Sequence, residues 1–175
     1  MAFLFGLVQV ILAAKNKSAN FYFGIVSVVL YIYVFYTYGL FAESLLNAYY
    51  LLISIGGIYF WQASKLKDIS TIQIRDWVIL SICMLIVWIV LYVILKMCTP
   101  STVPAFDAFV SAAAWIGSWL LMKRKLENWI FLNISNVVAI PLQLYKGLSL
   151  TALLTMIYFI VAIKGYIDWK RRMEN

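Results

Sequence analysis

Residues 20–62 read NFYFGIVSVVLYIYVFYTYGLFAESLLNAYYLLISIGGIYFWQ, and residues 128–170 read NWIFLNISNVVAIPLQLYKGLSLTALLTMIYFIVAIKGYIDWK. A shift of 108 residues lays one over the other without a gap. Identical pairs include Asn20/Asn128, Phe23/Phe131, Ser27/Ser135, Gly39/Gly147, Leu40/Leu148, Tyr50/Tyr158, Gly57/Gly165 and Trp61/Trp169. The basic pairs Lys15/Lys123 and Lys17/Lys125 extend the register upstream. Apolar stretches coincide by chance more readily than mixed ones, so the paired Asn, Gly and Trp carry the weight. Self-similarity at one fixed offset is the mark of a duplicated structural unit.

Outside the repeat the chain has the same character. Hydrophobic residues make up 65% of the 175 and charged residues 12%, against about a quarter charged in a soluble domain. The apolar residues come in runs separated by short basic clusters. A run of about 20 apolar residues crosses a hydrocarbon core of roughly 30 Å as a helix. Seven spans are predicted, at about 1–14, 20–38, 41–63, 77–97, 102–122, 128–145 and 148–169. The first is short, and its mate in the repeat begins near Thr102, which predicts that it lacks about seven residues at its start. Residues 65–76 (KLKDISTIQIRD) read as a connector at headgroup level, and residues 99–104 (TPSTVP) as a loop. The predicted organisation is a first three-helix repeat at 1–63, a connector and linker helix at 64–98, and a second repeat with a basic tail at 99–175.

Loop charge sets the expected orientation. Lys15, Lys17, Lys65, Lys67, Arg75, Lys123, Arg124, Lys125, Lys170, Arg171 and Arg172 all follow odd-numbered spans, whereas only Lys96 and Lys146 fall on the other side. The positive-inside rule then puts the C-terminus in the cytoplasm of a multi-pass cell-membrane protein, with the N-terminus outside. Four spans separate each residue from its mate, so both halves point the same way across the bilayer. The fold class expected is all-α: seven transmembrane helices as two parallel three-helix repeats around a linker helix, the 3+1+3 plan of SWEET-type transporters, which bind substrate between the halves. The same split accounts for the net charge of +7 through the membrane, without nucleic acid.

Several chemistries are excluded. No histidine occurs, so there is no Ser-His-Asp triad, Cys-His pair or ordinary zinc site. Cys83 and Cys98 lack CxxC spacing and read as packed thiols. No Walker loop, GxGxxG, HExxH or GxSxG is present, so neither a nucleotide cofactor, a metal nor an enzymatic activity is expected. Glu43, Asp107, Lys164 and Asp168 all lie near span ends, and the last two are spaced to pair. Without a buried carboxylate relay, movement of a substrate down its own gradient is expected rather than ion coupling.

Residues Phe23-Gly24-Ile25, then Tyr-Gly-Leu, then Tyr50, Ser54, Gly57 and Trp61, resemble the first-half signature of the PnuC family of vitamin transporters. Glu127-Asn128-Trp129, Asn136, Ile140-Pro141-Leu142 and Tyr145-Lys146-Gly147 resemble its second half, so the resemblance covers nearly the whole chain. It implies a seven-helix 3+1+3 fold and uptake of a nucleoside-like vitamin, usually nicotinamide riboside. It also implies a soluble kinase that traps the substrate by phosphorylation, and a homo-oligomer. Two positions depart from the family pattern: Leu132 stands where a tryptophan is common, and Asn47 where a glutamine is frequent. Thiamine and (deoxy)nucleosides are carried by related subfamilies and stay open as substrates, as does a substrate-binding subunit that docks with an ATPase.

Polar side chains inside spans are costly and face the bundle interior. Asn47, Tyr50, Ser54, Gly57 and Trp61 form one stripe on the third span; Leu132, Asn136, Ile140 and Gln143, with Asn133 alongside, form another on the sixth. Thr151, Thr155, Tyr158, Ala162, Gly165 and Trp169 mirror the third on the seventh. The candidate substrate-binding set is Asn47, Tyr50, Trp115, Asn133, Asn136, Gln143, Thr155 and Tyr158. Amides both donate and accept, as a ring carboxamide and ribose hydroxyls require, and aromatic faces suit a cationic ring. Each polar residue has a plainer reading as a bond between helices. Trp61, Trp129 and Trp169, near span ends, read as interfacial anchors, Gly57 and Gly165 as close-packing points, and Pro141 as a kink that frees a carbonyl.

Overall fold

The computed structural model describes residues 1–37, 41–62, 68–99 and 101–174, with backbone alone at 41–43, 45 and 46. Outside the described residues lie Gly39 and Leu40 of the repeat, the span ends at Tyr38 and Ala63, Lys65 and Lys67 of the connector, Pro100 of the loop, and the Glu43 side chain. Among the described residues are seven helices: α1 (Ala2–Ala14), α2 (Asn20–Thr37), α3 (Phe41–Gln62), α4 (Ile74–Cys98), α5 (Pro104–Met122), α6 (Asn128–Tyr145) and α7 (Ser149–Glu174). By length and composition α2, α4, α5 and α7 can each cross a membrane. α4, at 25 residues, is about 37 Å long and turns Val78, Ile82, Leu85, Ile86, Ile89 and Val93 outward. In water so wide an apolar face would be prohibitive; in a bilayer it is the solvated surface. Two elements outrun their sequence boundaries. α4 starts at Ile74 because Gln73 and Asp76 form a capping box, and α7 runs to Glu174 because its charged last turn has no breaker and ends in Arg171 and Arg172, which suit a helix C-terminus.

Six helices close a ring. α2 packs on α1 and α3, α6 on α5 and α7, and the two trios meet through α1·α7 and α3·α5, while α4 lies outside against α5. The ring's local contacts recur at the 108-residue offset. Ser27 Oγ donates to Ala2 O at 2.9 Å, and Ser135 Oγ to Val110 O at 2.8 Å. Asn20 Nδ2 donates to Lys17 O at 2.7 Å, and Asn128 Nδ2 to Lys125 O at 2.6 Å. Both turns that feed these asparagines use a left-handed residue, Asn16 at φ 56° and Arg124 at φ 54°.

The tryptophans correct the sequence reading. Trp61, Trp129 and Trp169 are buried, at 5%, 0% and 0% exposure, rather than anchored at the interface. For Trp61 and Trp169 the reason is a hydrogen-bond demand that the helix ends satisfy. Trp61 Nε1 donates to Leu121 O at 3.2 Å and Trp169 Nε1 to Ala13 O at 3.1 Å, each using a last-turn carbonyl of the opposite trio. Phe21 meets Trp61 edge-on (5.0 Å, 87°), Trp129 meets Trp169 likewise (5.5 Å, 88°), and Trp61 and Trp169 lie 6.0 Å apart. Gly57 and Gly165 are close-packing points, as their spacing suggested. A Cβ at Gly165 would stand 2.7 Å from Trp129 Cζ2, and one at Gly57 would overlap the Phe21 ring.

Charged groups tie the ends. Lys164 and Asp168 do not pair; among the described residues the salt bridge is Lys146 Nζ to Asp107 Oδ1 at 2.6 Å, joining the α6–α7 turn to the start of α5. A lysine preceding its acid by four residues is the weaker helical arrangement, whereas Asp107 also accepts from Ser101 Oγ at 2.5 Å. The connector docks on the α5–α6 turn: Ser70 N donates to Arg124 O (3.1 Å) and Leu126 N to Ser70 O (2.9 Å). Arg124 packs its guanidinium 4.2 Å from the Trp61 ring centre; burial pulls its pKa down while the Asp68 carboxylate pushes the other way.

Candidate functional site

A cavity of about 180 Å³ opens inside the ring between α1, α5, α6 and α7. Its polar wall is Gln9, Ser118, Asn136 and Tyr158, and its apolar wall includes Trp129, Leu132 and Leu121. Among the described residues, no carboxylate, lysine or arginine lines it. Ala13 and Leu121, whose carbonyls accept the two tryptophan bonds, also line it, so the aromatic cluster lies directly beside the cavity at the basic end of the bundle.

Local packing explains the shape. Gly6 lets the Tyr158 hydroxyl lie close against α1: a Cβ there would stand 2.8 Å from it. Gln9 lies over Gly24, with its side-chain nitrogen 2.9 Å from where a Cβ would sit. At the matching register Gly117 faces Leu132, with 2.8 Å to Leu132 Cγ. Large and small residues are therefore exchanged between the halves, and at this register α1 carries an amide where α5 carries a glycine. Trp129 Nε1 is buried without a hydrogen-bond partner among the described residues. A buried donor of this kind is uncommon in a native fold and asks for an acceptor; Trp129 borders both this cavity and an outer groove.

Of the eight candidates, the structure brings Asn136 and Tyr158 together at this cavity. Gln143 and Thr155 are committed to each other, with Thr155 Oγ1 donating to Gln143 Oε1 at 2.8 Å and to Thr151 O at 3.0 Å. They sit two turns along α6 and about one along α7 from the cavity pair. Asn133 faces another way, into an open apolar groove of about 510 Å³ with Phe109, Ile163 and Tyr166, and its Oδ1 is buried without a partner among the described residues. The remaining three belong to the α3 side. Trp115 stacks on Tyr49 (4.3 Å, 23°) and accepts from the Tyr49 hydroxyl through its carbonyl at 3.0 Å. Tyr50 meets Tyr49 edge-on at 5.7 Å, and Asn47 is half-buried one turn earlier on α3. Gln9 and Ser118 were missed. The signal for Gln9 was available, since it is the sole polar side chain in the first apolar run; Ser118, which donates to Ala114 O at 2.8 Å, looks like any helical serine.

The profile of the nicotinamide mononucleotide transporter family matches residues 1–171. The chain belongs to that family. Its members among curated proteins include the nicotinamide riboside transporter PnuC of Neisseria mucosa, 25% identical over 97% of this chain and 70% of that protein. The PnuC of Escherichia coli is 23% identical over 94% of this chain and 81% of its own length. The crystal structure of the vitamin B3 transporter PnuC superposes with a TM-score of 0.79 at 23% identity, covering 99% of this chain and 80% of that one. The fold is therefore that of a multi-pass membrane transporter, and the family is one of transporters, not enzymes. The resemblance drawn from the half-signatures is borne out.

Proposed function

We infer that the protein carries nicotinamide riboside across the membrane, and the observation that carries this reading is the uncharged polar cavity. Nicotinamide riboside joins a cationic pyridinium, a carboxamide and ribose hydroxyls. Gln9 and Asn136 supply paired donors and acceptors, the Tyr158 and Trp129 rings suit the cation, and the Trp129 N–H supplies one more donor. A phosphate would want a lysine, an arginine or several charge-assisted donors, and among the described residues the cavity wall has no cation. This favours the riboside over the mononucleotide of the family's description. At about 180 Å³ the cavity is smaller than the roughly 300–1,000 Å³ of ordinary ligand pockets, so the ring has to loosen to admit a nucleoside.

The same reading takes the two trios as parallel repeats joined by α4. Paired serine, asparagine and tryptophan bonds at one offset support it. The halves then part about the Trp61 and Trp169 bonds to open the cavity toward the basic end. That end faces the cytoplasm by loop charge, with the C-terminus inside and the N-terminus outside. Among the described residues no ionisable carboxylate lines the cavity, which fits movement down a gradient. Phosphorylation by a soluble kinase would add roughly 1.5–2 negative charges that this wall has nothing to receive. The kinase and a second copy of the chain enter from the family resemblance alone.

Calorimetry on detergent-purified protein tests the substrate, with nicotinamide riboside, nicotinamide mononucleotide, thiamine and deoxynucleosides in parallel. Riboside binding that Gln9→Leu weakens is expected. Equal affinity for the mononucleotide, or binding of thiamine or a deoxynucleoside alone, overturns the assignment. Accumulation of riboside above its equilibrium level in sealed liposomes, driven by a proton or sodium gradient, overturns the uncoupled mechanism.

A further inference from the structure

Outside the ring, where α4 begins and α5 ends, a groove of about 240 Å³ has an apolar floor and a charged rim. Leu80 and Leu120, at 6% and 0% exposure, belong to a core cluster beneath it. Trp119 stands at its side with 39% of its surface exposed. Lys123, Lys125 and Asp76 provide the charges, and both lysines are half-buried, their stems packed on the groove wall as long basic side chains do at an apolar surface.

These lysines are held but not neutralised. Lys123 Nζ lies 3.5 Å from the Phe60 ring centre, and Lys125 Nζ donates to Ser70 Oγ (3.0 Å) and Thr71 O (3.2 Å). Neither has a carboxylate partner, since the salt bridge among the described residues is Lys146–Asp107. Asp76 accepts from the Gln73 backbone N–H at 3.0 Å through one oxygen, Oδ2. The rim thus carries two cations and one anion, a formal charge of +1. It lies at the end of the bundle that gathers most of the chain's basic residues, where headgroups meet the protein. Basic pockets between helices at this level receive anionic headgroups.

We propose that this groove binds one anionic glycerophospholipid of the phosphatidylglycerol kind. Its phosphate sits between Lys123 and Lys125, a headgroup hydroxyl donates to Asp76, and an acyl chain lies over Leu80 and Leu120. A lipid of charge −1 neutralises the rim, and the apolar floor selects a lipid over free phosphate. Because the connector reaches Lys125 through Ser70 and Thr71, the bound lipid braces residues 68–73 against the α5–α6 turn. The site is separate from the cavity and holds whatever the transported substrate is.

Native mass spectrometry of the purified protein tests this, with titrations of phosphatidylglycerol, phosphatidylethanolamine and phosphatidylcholine, and excess inorganic phosphate as a competitor. Phosphatidylglycerol is expected to bind first and one to a chain, undisturbed by phosphate. Lys123→Gln should weaken it about fivefold, and Lys123→Gln with Lys125→Gln about thirtyfold. Ile79→Trp, which fills the groove without changing charge, should weaken it as well. The register mates provide the control: Lys15→Gln with Lys17→Gln removes equal charge from the same end and should leave the single bound lipid in place. Equal binding of phosphatidylcholine, an unaffected Lys123→Gln variant, or equal loss in the Lys15/Lys17 variant overturns the proposal. Thermal unfolding of each variant confirms that it is folded, and Lys123→Gln, which gives up only a ring contact, decides if the double variant is not.

Discussion

Trp169→Phe removes the Nε1 donor to Ala13 O while keeping an aromatic ring beside Trp129 and Trp61. Ala13 O keeps its bond from the Asn16 backbone N–H at 2.8 Å, so the loss is that of one hydrogen bond, about 0.5–1.5 kcal/mol. Trimming an indole to a phenyl at a site with 0% exposure adds about 1–2 kcal/mol for the lost contacts and small void. The expected total is about 1.5–3.5 kcal/mol. Trp61→Phe, which removes the mate bond to Leu121 O, should cost the same within about 1 kcal/mol, because the two bonds match in register and each ring meets one aromatic ring edge-on. The rings lie 6.0 Å apart, so the double variant should depart from additivity. Unfolding in mixed micelles of mild detergent and dodecyl sulfate, followed by circular dichroism, measures all three. A loss below about 1 kcal/mol in either single variant would refute the reasoning, since bonds worth so little would not latch the halves. Markedly unequal losses would remove the equivalence of the halves.

Gln9→Leu keeps the volume near Gly24 but loses the amide, and should weaken riboside binding about tenfold to a hundredfold with the fold intact, as read by calorimetry. Asn136→Ala should act in the same direction by a similar factor, whereas Asn133→Ala, in the outer groove, should leave affinity unchanged. Gly165→Leu drives a side chain into Trp129, with the first atom at 2.7 Å. Overpacking there should cost at least about 1–3 kcal/mol and show as loss of monodisperse protein in size-exclusion chromatography.

Much of the fold is legible because a membrane leaves few options. Every backbone polar group must be satisfied within its segment, so apolar runs of this length are helices, and Asn20/Asn128, Gly57/Gly165 and Trp61/Trp169 share a register because each pair has the same neighbours. Periodicity says which residues share a face, but not which faces meet across the ring. That is why Tyr158 and Asn136 are joined at the cavity while Gln143 and Thr155 bond each other, and why Asn133, one position off the Asn136 stripe, turns outward.

The sequence by itself determined the helices, their common basic end and the absence of charge among the residues that could meet a substrate, because these follow from local composition and spacing. Tertiary structure alone decided the rest. It buried Trp61 and Trp169 by offering them helix-end carbonyls from the opposite trio, and it set Gln9 opposite Gly24 where the other half sets Leu132 opposite Gly117. Whether a buried polar group is spent or available depends on partners more than a hundred residues away, as Trp169 and Ala13 are, and no local pattern records them.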